Sequence, residues 1–197
     1  MKQVLKLSID MQSFWHIGSG EEGGAYADAL TLKSAQSLPY IPGKSLKGRL
    51  RDAFELAAQN GWFSAEFTTV LFGQEGEALN TAGLIRVSSA TLSNEESQYI
   101  VQNQGQSLLY RTLQSTAIDS KTGTAKDGSL RAIEVALPMT LTAHISLNQS
   151  HPLYDAQQHS HYLTALAQAS KLINSLGAKR TRGLGECSFT AQLEEQA

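Results

Sequence analysis

Four cations and a glycine stand close together in the stretch IPGKSLKGRLRDAF, which begins at Ile41. Lys and Arg side chains bind phosphate groups, and the apolar residues of this stretch recur at helical spacing. At a rotation of about 100° per residue, the side of the helix opposite these apolar residues carries Lys44, Lys47, Gly48 and Arg51. A glycine in an exposed helix costs about 1 kcal/mol relative to alanine. The presence of Gly48 therefore favours a surface that a sugar-phosphate backbone approaches closely. An ordinary solvated helix face is the alternative.

Two nucleotide-binding motifs are excluded by their contexts. The letters GKS resemble the end of a P-loop, but Leu38 stands where the motif needs its first glycine. Pro39 and Pro42 also lack the amide donors of a phosphate cradle. The stretch GSGEEG matches a dinucleotide fingerprint in letters only, because no helix opens there and Glu21 and Glu22 would repel a pyrophosphate. We therefore expect no nucleotide or organic cofactor.

A second group of cations lies in the stretch GAKRTRGLGE, which begins at Gly177. Cations after a helix commonly complement its dipole, and this explains one or two of them. It does not explain the two further glycines. A cationic loop that approaches a phosphate chain explains both features, and the residues concerned are Lys179, Arg180, Arg182 and Gly183.

The overall charge gives no general attraction for a polyanion. The 197 residues include 16 Lys and Arg against 18 Asp and Glu, a net charge of −2. A nucleic-acid site must therefore be a local patch. The single cysteine, Cys187, has no partner for a disulfide, and no apolar run is long enough to span a membrane. These features lead us to expect a cytoplasmic protein with no membrane association.

Hydrophobic periodicity predicts the elements that position the two basic segments. Period-two alternation predicts strands over 3–11, from 83, from 137 and over 186–193, and helical spacing predicts helices over 45–60 and 155–176. The order strand, helix, strand, strand, helix, strand predicts an α+β, ferredoxin-like (RRM-like) βαββαβ core. We expect one domain over 1–197, with the polar segment 94–135 inserted in it.

Four motifs in the same order resemble those of the RAMP superfamily of CRISPR-associated proteins. They are LPYIPGKSLKGRLRDAF, LFG followed by GLIRVSSA, AIDSKTGTAKDGSLRAIEVAL and GAKRTRGLGE. The similarity is to the backbone subunit of type III (Csm and Cmr) effector complexes, and it covers nearly the whole chain. The resemblance implies that the basic helix and the glycine-rich loop grip a CRISPR RNA. The implied contacts are Lys44, Ser45, Lys47, Gly48, Arg51, Lys179, Arg180, Arg182 and Gly183, together with His16.

His16 and Asp28 are the two candidates for acid–base or metal chemistry. His16 follows the first strand beside Phe14 and Trp15, and we interpret it as a structural residue or an RNA contact. The resemblance implies that an aspartate in the loop after the first strand cleaves target RNA. Asp28 stands in a similar place, although it is not directly beside the paired glycines. It would bind a divalent metal, Mg²⁺ or Mn²⁺, or orient the attacking 2′-hydroxyl.

The inserted segment resembles the thumb with which the family separates guide from target. The implied thumb residues are Ile118, Asp119, Lys121, Thr122 and Arg131. The resemblance further implies antiviral defence and a set of partners: crRNA, target RNA, further copies of the chain arranged head to tail, and other type III effector subunits. Two alternatives remain open. One is a non-catalytic structural subunit, and the other is an endoribonuclease that processes crRNA.

Overall fold

The computed structural model describes residues 2–24, 26–74 and 82–196. Its strands and helices in these ranges are, in chain order, β1 (Lys2–Met11), α1 (Gly43–Gln59), α2 (Ala65–Phe72), β2 (Ile85–Val87), α3 (Asn94–Gln102), β3 (Tyr110–Ser115), β4 (Arg131–Ala136), β5 (Met139–Leu147), α4 (His159–Ser170) and β6 (Cys187–Gln196). Among these helices, none combines the length and the apolar character needed to cross a membrane.

Four of the strands form one antiparallel sheet in the order β2-β5-β1-β6. The sheet strands and the two long helices follow one another as β1, α1, β2, β5, α4, β6. This is the ferredoxin-like arrangement, and it confirms the fold predicted from the sequence. β3 and β4 pair with each other as a separate two-stranded sheet between β2 and β5 in the chain.

One face of the sheet forms the core. Side chains alternate along a strand, so Leu5, Leu7 and Ile9 of β1 point to the same face, and all three are fully buried. Their partners in the register are the buried residues Ile145, Ala143 and Leu141 of β5. α1 and α4 cover this face with Leu46, Leu50, Phe54, Leu163, Leu166 and Ala169. Burial of these side chains holds both long helices against the sheet.

The opposite face of the central strands is polar. By the same alternation it presents Lys6, Ser8, Asp10, Thr140, Thr142, His144, Ser146, Ser188, Thr190 and Gln192. None of these side chains is Phe, Tyr or Trp. RNA-binding sheets of the RRM type stack bases on such aromatic side chains. Over the strands described, this face lacks that stacking platform.

Two helices, α2 and α3, were not predicted from the sequence. α2 begins after Ser64, whose hydroxyl accepts a hydrogen bond from the backbone N–H of Glu66 (3.3 Å). α3 begins with a reciprocal cap: the Ser93 hydroxyl accepts from the Glu96 amide (3.2 Å), and the Glu96 carboxylate accepts from the Ser93 amide (3.1 Å). None of the residues of α3 is fully buried. Because α3 is polar, it lacks the apolar periodicity on which the prediction relied, and its cap stabilises it instead.

The predicted helix over 155–176 is too long. Asp155 caps only a single 3₁₀ turn, and α4 covers His159–Ser170. Ile173 and Leu176 are buried nevertheless, because the chain after α4 runs beside the start of β6. There the Leu176 amide donates to the carbonyl of Gly185 (2.8 Å). An apolar spacing that suggested a continuing helix is thus satisfied by an extended segment.

Candidate nucleic-acid interface

The basic half of α1 has two stripes with different surroundings. Lys47 is half-buried, and its Nζ donates to the carbonyl of Ile85 on β2 (3.4 Å). Burial, with a smaller contribution from the neighbouring Arg51 charge, lowers the pKa of Lys47. Arg51 pairs with Glu55 one turn later (2.9 Å). These two predicted contacts therefore lie on the β2 side of the helix, while Lys44 and Gly48 are exposed.

The other stripe of α1 faces the glycine-rich loop. Ser45 and Arg49 line a cleft of about 320 Å³ together with residues that follow β1 and residues of the loop. The lining residues are His16, Ile17, Gly18, Ile41, Ser45, Arg49, Leu176, Gly177, Ala178 and Arg180. The cleft thus brings together two basic segments that are distant in the chain, since Arg49 and Arg180 are 131 residues apart. Of the sequence-predicted contacts, it contains His16, Ser45 and Arg180.

The glycine-rich loop is anchored at both of its ends. The Ala178 amide donates to the carbonyl of His16, and the Gly185 amide donates to the carbonyl of Phe14, both at 2.8 Å. Gly177 has φ +89°, and a Cβ there would lie 2.5 Å from the carbonyl oxygen of His16. No other residue fits this close approach without movement of the backbone. The anchors hold the loop directly beside the segment that follows β1.

The exposed part of the loop carries the cations. Lys179 has a left-handed backbone (φ 55°), and a single 3₁₀ turn follows over Arg180–Arg182. Both arginines of this turn are exposed, and Lys179 is half-buried. Gly183, with φ +78°, has open space where a Cβ would stand. The loop therefore presents cations on a short turn between fixed ends.

Arg49 is a functional candidate that the sequence reasoning did not select. Its Nη1 donates to Oδ2 of Asp52 (2.7 Å), whereas its Nε is buried without a hydrogen-bond partner. A buried donor without an acceptor is unfavourable, so a movement of this side chain that brings Nε to an oxygen acceptor would be favoured. The signal was available: Arg49 follows Ser45 by four residues, so the two share one side of the helix.

His16 is buried, with 5% of its surface exposed, and is not the accessible loop histidine that acid–base chemistry would need. Its Nδ1 lies 2.7 Å from the carbonyl oxygen of Glu134. A carbonyl only accepts hydrogen bonds, so Nδ1 is the donor. In the neutral ring Nε2 is then an acceptor. The backbone of His16 meanwhile fixes the glycine-rich loop, as its bond with Ala178 shows.

Asp28 lies at the base of the β3–β4 hairpin and does not line the cleft. The Asp28 amide donates to the carbonyl of Ala132 (2.7 Å), and Oδ2 of Asp28 accepts from the amide of Ala132 (2.6 Å). Ala29 then forms a parallel bridge with Ile133. Asp28 is exposed, and these bonds account for one of its carboxylate oxygens.

A metal site enclosed by protein side chains does not form around Asp28. Across residues 2–24, 26–74 and 82–196, no three His, Cys, Asp or Glu side chains are grouped so that they could hold a metal ion. Mg²⁺ is commonly bound by one or two carboxylates together with water and substrate phosphates, so Asp28 would supply one ligand and bound RNA would supply others.

The hairpin projects a structured tip. The Asp119 carboxylate accepts hydrogen bonds from the amides of Lys121 (2.8 Å) and Thr122 (3.1 Å), and these bonds lower the pKa of Asp119. At the base of the tip, Arg131 donates to the carbonyl of Leu130 (3.0 Å). Ile118 is 62% exposed. The five residues that the sequence assigned to a thumb therefore all lie at this tip or at its base.

A buried polar network fixes the hairpin, and it too was missed. Glu134 of β4 is only 3% exposed, and its carboxylate lies 2.8 Å from Nζ of Lys33. Nζ also lies 4.3 Å from the centre of the Tyr110 ring. Burial, and to a smaller degree the Glu134 charge, raises the pKa of Tyr110. Lys33 and Glu134 are 101 residues apart, so no spacing in the sequence joins them.

Comparisons with known proteins identify the family and the fold. A family model of the RAMP superfamily matches residues 8–188. A chain in the cryo-EM structure of the Type III-B Cmr-beta bound to cognate target RNA has a similar fold, with a TM-score of 0.70 at 11% identity over 95% of this chain and 96% of that one. A chain of the Type III-B Cmr-beta in the apo state gives a TM-score of 0.72 at 12% identity over the same shares. No curated protein matches by sequence. Because the family model matches nearly the whole length, this chain belongs to the RAMP superfamily.

Proposed function

We propose that this chain is the crRNA-binding backbone subunit of a type III CRISPR RNA-guided effector complex. The observation that supports this most strongly is the cleft, where the basic helix and the cationic loop meet. Superfamily membership and the fold shared with chains of Type III-B Cmr-beta support it further. On this proposal its partners are crRNA, target RNA, other effector subunits and further copies of itself.

The cleft would hold the sugar-phosphate backbone. Arg49, whose buried Nε has no hydrogen-bond partner, lines the cleft on the helix side, and Arg180 lines it on the loop side. Guanidinium groups bind phosphate oxygens through paired, charge-assisted hydrogen bonds. Contacts of this kind fix the register of an RNA strand without reading its sequence. The cations outside the cleft, such as Lys44 and Arg182, would add a screened attraction.

Salt dependence of RNA binding tests this proposal. Each phosphate contact to a single strand adds about 0.7 to the slope of log affinity against log salt. Arg49→Ala and Arg180→Ala should each weaken binding of RNAs of any sequence and reduce the slope by about that amount. Lys171→Ala, an exposed cation that does not line the cleft, is the matched control. If Arg180→Ala bound RNA with the wild-type affinity and slope, the cleft would not be the RNA site.

We further propose that Asp28 takes part in cleavage of the paired target RNA. One carboxylate oxygen accepts from the Ala132 amide, and the other would accept the hydrogen of a target 2′-hydroxyl and so orient it. Attack of this hydroxyl on its own phosphate forms the bond from the 2′-oxygen to phosphorus and breaks the bond to the next 5′-oxygen. The hydroxyl proton passes to the Asp28 carboxylate, and the 5′-oxygen takes a proton from water. The products are a 2′,3′-cyclic phosphate and a 5′-hydroxyl, since the nucleophile belongs to the RNA.

A non-catalytic structural subunit is the second candidate, and the Asp28–Ala132 bond favours it. Two substitutions separate the candidates. Asp28→Asn keeps an oxygen that accepts from Ala132 but removes the charge, whereas Asp28→Ala removes both. If Asp28 is catalytic, both variants in the assembled complex bind crRNA and target but fail to cut. Normal cutting by Asp28→Asn would leave Asp28 with a structural role only.

A further inference from the structure

The buried carboxylate of Glu134 and the half-buried ammonium of Lys33 join two parts of the chain. Oε1 of Glu134 lies 2.8 Å from Lys33 Nζ, and Oε2 accepts from the amide of Thr31 (3.2 Å). Lys33 also covers the ring of Tyr110, whose hydroxyl donates to the carbonyl of Ser37 (2.9 Å). The segment that follows Asp28 thus contacts both strands of the hairpin.

The same strand, β4, connects this ion pair to the cleft and to Asp28. The backbone carbonyl of Glu134 accepts from His16, which lines the cleft. Two residues earlier, Ala132 exchanges both of its hydrogen bonds with Asp28. A separation of two residues along a strand is about 6.6 Å and keeps both on the same side. The position of β4 therefore determines the position of Asp28 relative to the cleft.

An ion pair with a buried carboxylate is weak evidence of stabilisation, because apolar residues of similar size often serve as well. Buried polar groups can instead select one pairing of two segments over alternative pairings, because the alternatives leave the polar group without a partner. Here the ion pair can select the register of β4 against residues 28–31. A shift of β4 by one residue along the 28–31 segment would separate Glu134 from both Lys33 and Thr31, and would leave a buried carboxylate without partners.

We propose that Lys33 and Glu134 are positioning residues, which keep β4 in register with residues 28–31 and thereby hold Asp28 at a fixed place relative to RNA in the cleft. This inference rests on the proposed cleavage of target RNA. The ion pair itself touches no reacting atom. Its effect on cleavage passes through the hydrogen bonds between Ala132 and Asp28.

Hydrogen exchange of the full-length chain tests the positioning without any need for cleavage. Lys33→Met removes the charge and keeps most of the stem, and it should accelerate exchange of the Asp28 and Ala132 amides by about tenfold or more. Lys33→Arg should restore slow exchange, since arginine supplies the charge again. The control is Lys6→Met, which removes an ion pair with Glu194 (3.1 Å) on the polar face of the sheet. It should leave both amides unchanged.

The double variant Lys33→Met with Glu134→Gln guards against loss of folding, because it removes both charges together. It should fold and still show fast exchange at the Ala132 amide. Slow exchange at that amide in a folded Lys33→Met or double variant would overturn the proposal, as would failure of Lys33→Arg to restore it.

Cleavage by the assembled complex then tests the link to the reaction. Complexes with Lys33→Met should bind RNA normally but cut more slowly and at less regular positions, and Lys33→Arg should restore both properties. Wild-type rates and positions despite fast exchange would overturn the role in the reaction. If the wild-type complex itself does not cut, the proposed cleavage fails, and the exchange measurements still decide whether the ion pair holds Asp28 in place.

Discussion

Gly48 gives a prediction in which stability and binding change in opposite directions. This residue is exposed in the first half of α1, and a Cβ built on it meets no atom within 4 Å. The folded chain therefore has room for a larger side chain. Alanine or leucine at this position should stabilise the helix by nearly 1 kcal/mol, the usual penalty of a glycine. For a chain of this size that corresponds to a rise in Tm of about 2–4 °C.

RNA binding should respond in the opposite way. Gly48 follows Ser45 by three residues and precedes Arg51 by three, so it lies on the exposed surface of α1 between the cleft and the β2 side. A leucine there would project into the space that a closely approaching strand needs. We expect Gly48→Leu to weaken RNA affinity by about tenfold or more, which corresponds to about 1.4 kcal/mol.

Thermal unfolding and fluorescence anisotropy with a labelled single-stranded RNA measure the two effects on the same sample. Gln59→Leu places an apolar side chain at the exposed end of the same helix and controls for a general effect of hydrophobicity. A Gly48→Leu protein that melts at a higher temperature and binds RNA as tightly as the wild type would refute the close approach of RNA to α1.

Three further predictions concern single residues. Burial raises the pKa of Cys187 to about 12, so its thiol should not react with Ellman's reagent at pH 8 until the protein is unfolded. The lowered pKa of Asp119 means that its hydrogen bonds are fully present above the ordinary aspartate range near pH 4 and are lost as the pH falls through the lowered value; the NMR chemical shift of the Lys121 amide should therefore titrate with a midpoint below that ordinary range, and a midpoint within it would contradict the account. Gly177→Ala should lower the free energy of unfolding by about 1–3 kcal/mol in a denaturant titration, because it combines a positive φ with a Cβ pressed against the His16 carbonyl, and an unchanged free energy would contradict that account.

The core elements were predictable because their apolar residues follow one period. Leu5, Leu7 and Ile9 alternate along β1, and the apolar positions of α1 recur at helical spacing. α3 follows another rule, since it depends on the Ser93–Glu96 cap. The S-x-x-E pattern was present in the sequence, but the polar residues after it gave no periodic signal.

The candidate site was predictable in its composition and not in its assembly. Glycines and cations identified the basic helix and the loop separately, while the choice among the cations of α1 depended on tertiary contacts. Lys47 turned out to contact β2, whereas Arg49 faces the cleft. The ion pair of Lys33 with Glu134 depends on packing between distant segments. Helical rotation alone cannot distinguish such environments.

The most direct test of the central claim is to locate the RNA on the protein. Single-stranded RNA containing 4-thiouridine can be photo-crosslinked to the full-length chain and the attached peptides identified by mass spectrometry. The account predicts crosslinks in both walls of the cleft, within residues 43–51 and 176–184. Crosslinks confined to the polar face of the sheet, for example to Thr140 of β5, would contradict it.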